Sequence, residues 1–66
     1  MDPNATWHDL ALSVQLADWD TASEQAQNLL DWLDKGGFPP KITDQELFDK
    51  IVARSTCQAI AAWEVA

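Results

Sequence analysis

The run Gly36-Gly37-Phe38-Pro39-Pro40 is the strongest constraint in this sequence. Glycine enters the left-handed conformation that ends helices, and two consecutive prolines forbid a helix from resuming. Whatever precedes this run must stop there, and whatever follows must start afresh. Phe38 sits between the two signals, placed to fold back onto the last turn of the preceding helix, as apolar residues beside glycine caps often do.

Before the break, apolar spacing marks two helices. Trp7, Leu10, Ala11, Val14 and Ala17 recur at three- and four-residue intervals, predicting a helix over about Ala5 to Ala17. Asp2-Pro3 offers it an earlier start, and Thr6 with Asp9 an imperfect capping box. Leu12 and Leu16 fall on roughly the opposite side of this helix. Two apolar sides mean that a helix is sandwiched or presents one side to another chain. Asp18 then caps a second helix, Trp19 to about Lys35, with Ala22, Ala26, Leu29, Leu30 and Leu33 inward. Asp20, Glu24, Gln27, Asp31 and Asp34 form a polar stripe on the far side. Trp32 belongs to neither face, lying about 110° from the apolar centre at 100° per residue.

After the break, Thr43 with Glu46 reads as a capping box and Ile42 with Leu47 as a hydrophobic staple. A third helix is expected over about Asp44 to Trp63. Its inner face is expected to carry Leu47, Phe48, Ile51, Val52, Ser55, Ala59 and Ala62, with Cys57 and Ile60 outside. Trp7 and Trp19 are expected to anchor the core. With short loops favouring antiparallel neighbours, the sequence predicts one all-α domain over 1–66: a three-helix bundle made of a helical hairpin and a third helix.

Sixty-six residues give such a bundle a marginal core, since a chain this short buries about 60% of its unfolded surface. Small domains compensate with disulfides, metal, tight packing or self-association. Cys57 is the single cysteine, so no internal disulfide can form. His8 and Cys57 are too few to hold a structural metal. As a Cys–His dyad they lack a third orienting group and an oxyanion site. Asp18-Trp19-Asp20 begins like a calcium loop, but Ala22 stands at the third ligand position and the required glycine is missing. No enzyme activity, cofactor or metal is therefore expected. The Asn4-Ala5-Thr6 sequon is read as chance, because the acidic start is unlike a signal peptide.

The formal charge is −7. It disfavours nucleic acid and anionic lipid as partners, because both are bound largely through Lys and Arg. No apolar run approaches the roughly 20 residues needed to span a bilayer. A cytoplasmic home is expected.

Two segments resemble known proteins. Leu16-Ala17-Asp18-Trp19-Asp20-Thr21-Ala22, followed by Leu29 and Leu30, resembles the interhelical turn of a tetratricopeptide repeat, in which Ala22 would be the packed alanine. Such a resemblance implies a helical hairpin over about 25 residues; there is no second copy to build a peptide-binding groove. Leu30-Asp31-Trp32-Leu33-Asp34-Lys35-Gly36-Gly37-Phe38-Pro39-Pro40 resembles a segment of small uncharacterised bacterial and phage proteins, of the form Trp-Leu-x-x-Gly-Gly-Phe-x-Pro. That likeness implies a small helical protein and brings no activity with it.

A non-enzymatic protein–protein interaction module follows as the leading expectation, its partner another protein or a second copy in a homodimer. Leu12, Leu16, Trp32 and Phe38 are its candidate partner-binding residues. The alternative is an acidic inhibitor or DNA mimic that occupies the basic site of a nucleic-acid-binding protein. The stripe from Asp20 to Asp34 is sparse for that role. It carries about one acid per 5 Å along a helix rising 1.5 Å per residue, against one charge per about 1.7 Å of duplex.

Overall fold

The computed structural model describes residues 1–63; the last three residues of the expected 1–66 domain lie outside it. It is a three-helix bundle, with α1 over Pro3–Gln15, α2 over Trp19–Asp34 and α3 over Glu46–Ala61. Helix α2 is central. It packs on both α1 and α3, which flank it and, among the described residues, do not pack on each other as helices. The molecule measures 34 × 19 × 19 Å, so its two ends are well separated.

The punctuation read from the sequence works largely as expected. Helix α1 takes the earlier start: the Asp2 carboxylate accepts from the N–H groups of Asn4 and Ala5, and Pro3 stands in the first turn where no N–H is needed. The Asp18 carboxylate accepts from the Thr21 N–H and caps α2. Both helices end in Schellman turns. After α1, the Asp18 N–H reaches Ser13 O and the Ala17 N–H reaches Val14 O; after α2, the Gly37 N–H reaches Trp32 O and the Gly36 N–H reaches Leu33 O. Such a turn needs one left-handed residue. Gly36 supplies it at φ 83°, and Ala17 supplies it at φ 55° against the steric cost of its own Cβ.

Pro39 and Pro40 are buried, so the connection to α3 is a structural element in its own right. Its far side is tied to α1, where Asn4 Oδ1 accepts from the Lys41 N–H at 2.7 Å. The asparagine of the chance sequon thus fastens the linker.

Three expectations about α3 are overturned. Thr43 does not form a capping box with Glu46; α3 starts at Glu46, and its cap residue Gln45 makes no side-chain bond. Instead the Thr43 hydroxyl donates to Asp49 Oδ1 at 2.6 Å, and the N–H groups of Thr43 and Ile42 donate to the same carboxylate. Nor is there a staple, because Leu47 is 79% exposed. Most consequentially, the helix is turned around. Asp49, Ala53 and Cys57 are buried and Ile60 packs on the core, whereas Leu47, Phe48, Ile51, Ser55, Ala59 and Ala62 are exposed and Val52 is half-buried. The expected and observed inner faces lie about 160° apart at 100° per residue.

Two features account for this rotation. Ala53 and Cys57 are small, like Ala22 and Ala26 on α2, and all four are fully buried. Cys57 shares one core cluster with Ala22 and Ala26, and small residues at such a contact let two helix backbones approach closely, which bulky Leu47 and Phe48 would hinder. Meanwhile the Asp49 carboxylate satisfies three donors of the linker only if its side of α3 faces inward.

The core combines Leu10, Ala22, Ala26, Leu29 and Cys57, and Trp7, Trp19, Leu30 and Ile60 pack against it as half-buried walls. The inner face expected for α2 is the one found. On α1 only Leu10 is fully enclosed among the expected residues; Ala11, Val14 and Ala17 are exposed, and Ser13 is buried instead, its hydroxyl donating to Asp9 O. Ala11 and Val14 border a cleft of about 300 Å³ between α1 and α3, which Trp7, Thr56 and Ile60 also line. The apolar side of α1 thus faces this gap, meeting α3 only through side chains such as Leu10 in the core it shares with Cys57.

Candidate interaction surface

The four residues expected to bind a partner do not form one surface. Leu12 and Leu16 on α1 are 46% and 70% exposed, so their outward placement is as expected. Leu16 adjoins the start of α2, however, while Phe38 follows its end. The 16 residues between span about 24 Å.

Trp32 and Phe38 do come together. The Trp32 indole N–H donates to Phe38 O at 2.8 Å, and the two rings meet edge to face at 5.7 Å and 83°. Gly37 makes this possible. A Cβ there would fall against Cε2, Nε1 and Cδ2 of the indole, so glycine alone lets the ring lie over the chain. Trp32 is half-buried by this arrangement. Its polar edge is satisfied and its ring largely committed to the turn, which leaves Phe38, 55% exposed, as the accessible member.

Phe38 borders the start of α3. A shallow depression is lined by Trp32, the Gly36-Gly37 turn, Phe38, Pro39 and Leu47, together with the charged Glu46 and Lys50. From there an exposed, mainly apolar face of α3 continues through Leu47 (79% exposed), Phe48 (55%) and Ile51 (62%) to Ser55, Gln58, Ala59 and Ala62. This face carries no charge. The charged residues of α3 stand elsewhere: Glu46, Lys50 and Arg54 lie along one flank, and Asp49 is inside. Arg54 is held by Asp34 of α2 through a 3.0 Å ion pair. Exposed single apolar residues are ordinary, but a run of them along one uncharged helix side is the usual mark of a contact surface.

The sequence contained this face, since its periodicity is what predicted the inner side of α3. What sequence reasoning missed was its direction. The missing signal was Asp49, an acid at a core position that declares which side the linker must cover.

Two ionisable groups are displaced from their ordinary behaviour. Burial pushes the Asp49 carboxyl up, but the Thr43 hydroxyl, the N–H groups of Thr43 and Ile42 and the nearby Lys41 charge outweigh it, and the net is a lowered pKa. Burial pushes the Cys57 thiol up to about 11. A buried, protonated thiol is a poor nucleophile and a poor metal ligand. His8 is exposed on α1 while Cys57 is in the core, so the structure does not pair them. Among the described residues no group of three His, Cys, Asp or Glu side chains is placed to hold a metal ion, and no helix is long and apolar enough to cross a membrane.

No protein-family model matches this chain, and searches of curated proteins and of solved structures found no significant match.

Proposed function

We propose that this protein is a small non-enzymatic protein–protein interaction module that docks its partner on the outward face of α3 and the adjoining Phe38. The observation that carries this reading is the uncharged run Leu47, Phe48, Ile51, Ser55, Ala59 and Ala62, which no part of the described chain covers. Three large apolar side chains held more than half exposed on a regular helix gain little for the free molecule. In contact with a second apolar surface, each would contribute roughly 1–2 kcal/mol through burial at about 25 cal/mol per Å². Helix-face recognition of this kind uses anchors at three- and four-residue spacing, as these are.

Capture from native lysate on the immobilised protein tests the reading. Partners should be retained by the wild type, released by Ile51→Glu, and held equally well at low and high salt. A partner that ignores Ile51→Glu and dissociates steeply with salt would instead favour the acidic stripe of α2 and the inhibitor or DNA-mimic reading.

A further inference from the structure

We infer that the partner of the α3 face is a second copy of this chain, paired antiparallel about a two-fold axis near Ser55. This inference rests on the interaction-module reading and names the occupant of its surface. Two observations carry it: the distribution of charge, and the distribution of side-chain size along the face.

The protein is strongly acidic, so two copies repel one another through most approaches. Helix α2 carries four acids and no base, and α1 carries one acid and no base. Helix α3 alone balances, with Glu46 and Asp49 against Lys50 and Arg54. Its apolar face is therefore the side by which two such molecules meet with least repulsion. A basic partner would be drawn to α2, and an acidic one has no cationic surface to meet.

Size runs in one direction along the same face. Its first half carries Leu47, Phe48 and Ile51; its second half carries Ser55, Ala59 and Ala62. Parallel pairing would set bulk against bulk at one end and leave a gap at the other. Antiparallel pairing about Ser55 sets Phe48 opposite Ala62 of the second copy and Ile51 opposite Ala59, so that large meets small at these positions, while Leu47 meets the exposed Trp63 just past the helix end. Such an isologous contact is self-complementary and closed, and it does not propagate into fibres. A standard interface takes about 20–30 residues and about 800 Å² from each partner. The α3 face with Phe38 supplies far fewer residues, so the dimer belongs to the weak, transient class.

Sedimentation equilibrium over about 10 µM to 1 mM should show the mass rising from 7.4 kDa toward twice that value. Added salt should strengthen the association by screening the net charge. Ile51→Glu or Phe48→Glu should weaken it at least about tenfold with helicity unchanged, since both sites are already solvated in the monomer. Oxidation fixes the geometry. Ser55→Cys should form disulfide-linked dimers readily, Leu47→Cys should not, and the Phe48→Cys/Ala62→Cys double variant should; Cys57 stays out of the reaction because it is fully buried. Mass constant at 7.4 kDa throughout would overturn the second copy as partner, yet a lysate partner released by Ile51→Glu would still uphold the module. A dimer untouched by both glutamates, or Leu47→Cys crosslinking as fast as Ser55→Cys, would overturn the inferred contact.

Discussion

Ala17, Gly36 and Gly37 do related jobs with different tolerances. Ala17 sits at φ 55° with a Cβ it does not need. Left-handed geometry costs a non-glycine residue about 1–2 kcal/mol, while glycine adds about 0.5–1 kcal/mol of unfolded-state entropy. Ala17→Gly should therefore stabilise the protein by about 0.5–1 kcal/mol, and Gly36→Ala should destabilise it by a similar amount, both measurable by urea denaturation. Gly37→Ala acts differently. Its Cβ displaces the Trp32 indole and breaks the bond to Phe38 O, so the fluorescence of the folded protein should change as well as its stability.

Asp49 makes the residue scale depend on pH. Its folded pKa is depressed, so its contribution to stability is complete above the unfolded carboxylate value and is lost as pH falls through the lower folded value. Asp49→Asn should remove that acid-side dependence. It should also lower the melting temperature at neutral pH, because the amide turns an N–H donor toward one of the linker groups that Asp49 now accepts from. Melts of both proteins across the acid range check this.

At the scale of elements, the caps of α1 and α2 were legible in the sequence because they are local, whereas the Thr43 box expected for α3 was not formed, Thr43 serving Asp49 instead. Asp2, Asp18, Gly36 and the two prolines each act on neighbours a few residues away. The facing of α2 was legible too, since one side is apolar and the other almost wholly polar. Helix α3 is apolar on a broad side and small on the other, and periodicity favours the broad side. Close approach of Ala53 and Cys57 to α2 and the non-local needs of the linker decide otherwise, and neither can be read from spacing. Substitutions separate the two sides. Leu47→Ala should change stability by less than about 0.5 kcal/mol, as at other exposed sites. Ala53→Leu should cost about 1–3 kcal/mol by overpacking the α2–α3 seam. Chemical denaturation of the two variants makes the comparison.

For the whole molecule, the division of labour follows from the rotation of α3. The leucines of α1 and α2, small residues and one buried carboxylate hold the three helices together, and the larger apolar side chains of α3 are left outward, where we propose that they contact another molecule. Of the candidate surface, Phe38 was identified from sequence and lies on it. Leu12 and Leu16 are exposed at the other end, and Trp32 serves mainly the turn. Residues of one end cannot be assigned to one surface until the helices are placed, and this is why the four did not assemble.

The orientation of α3 is therefore the central claim, and thiol labelling tests it most directly. A thiol reagent is applied to dilute native protein, once as wild type with Cys57 and once as Ile51→Cys. Cys57 should react only at the rate of unfolding, being enclosed and protonated, and the new thiol at position 51 should react at once. Immediate labelling of Cys57 together with protection of the thiol at 51 would contradict the account, because it would put the broad apolar side of α3 in the core.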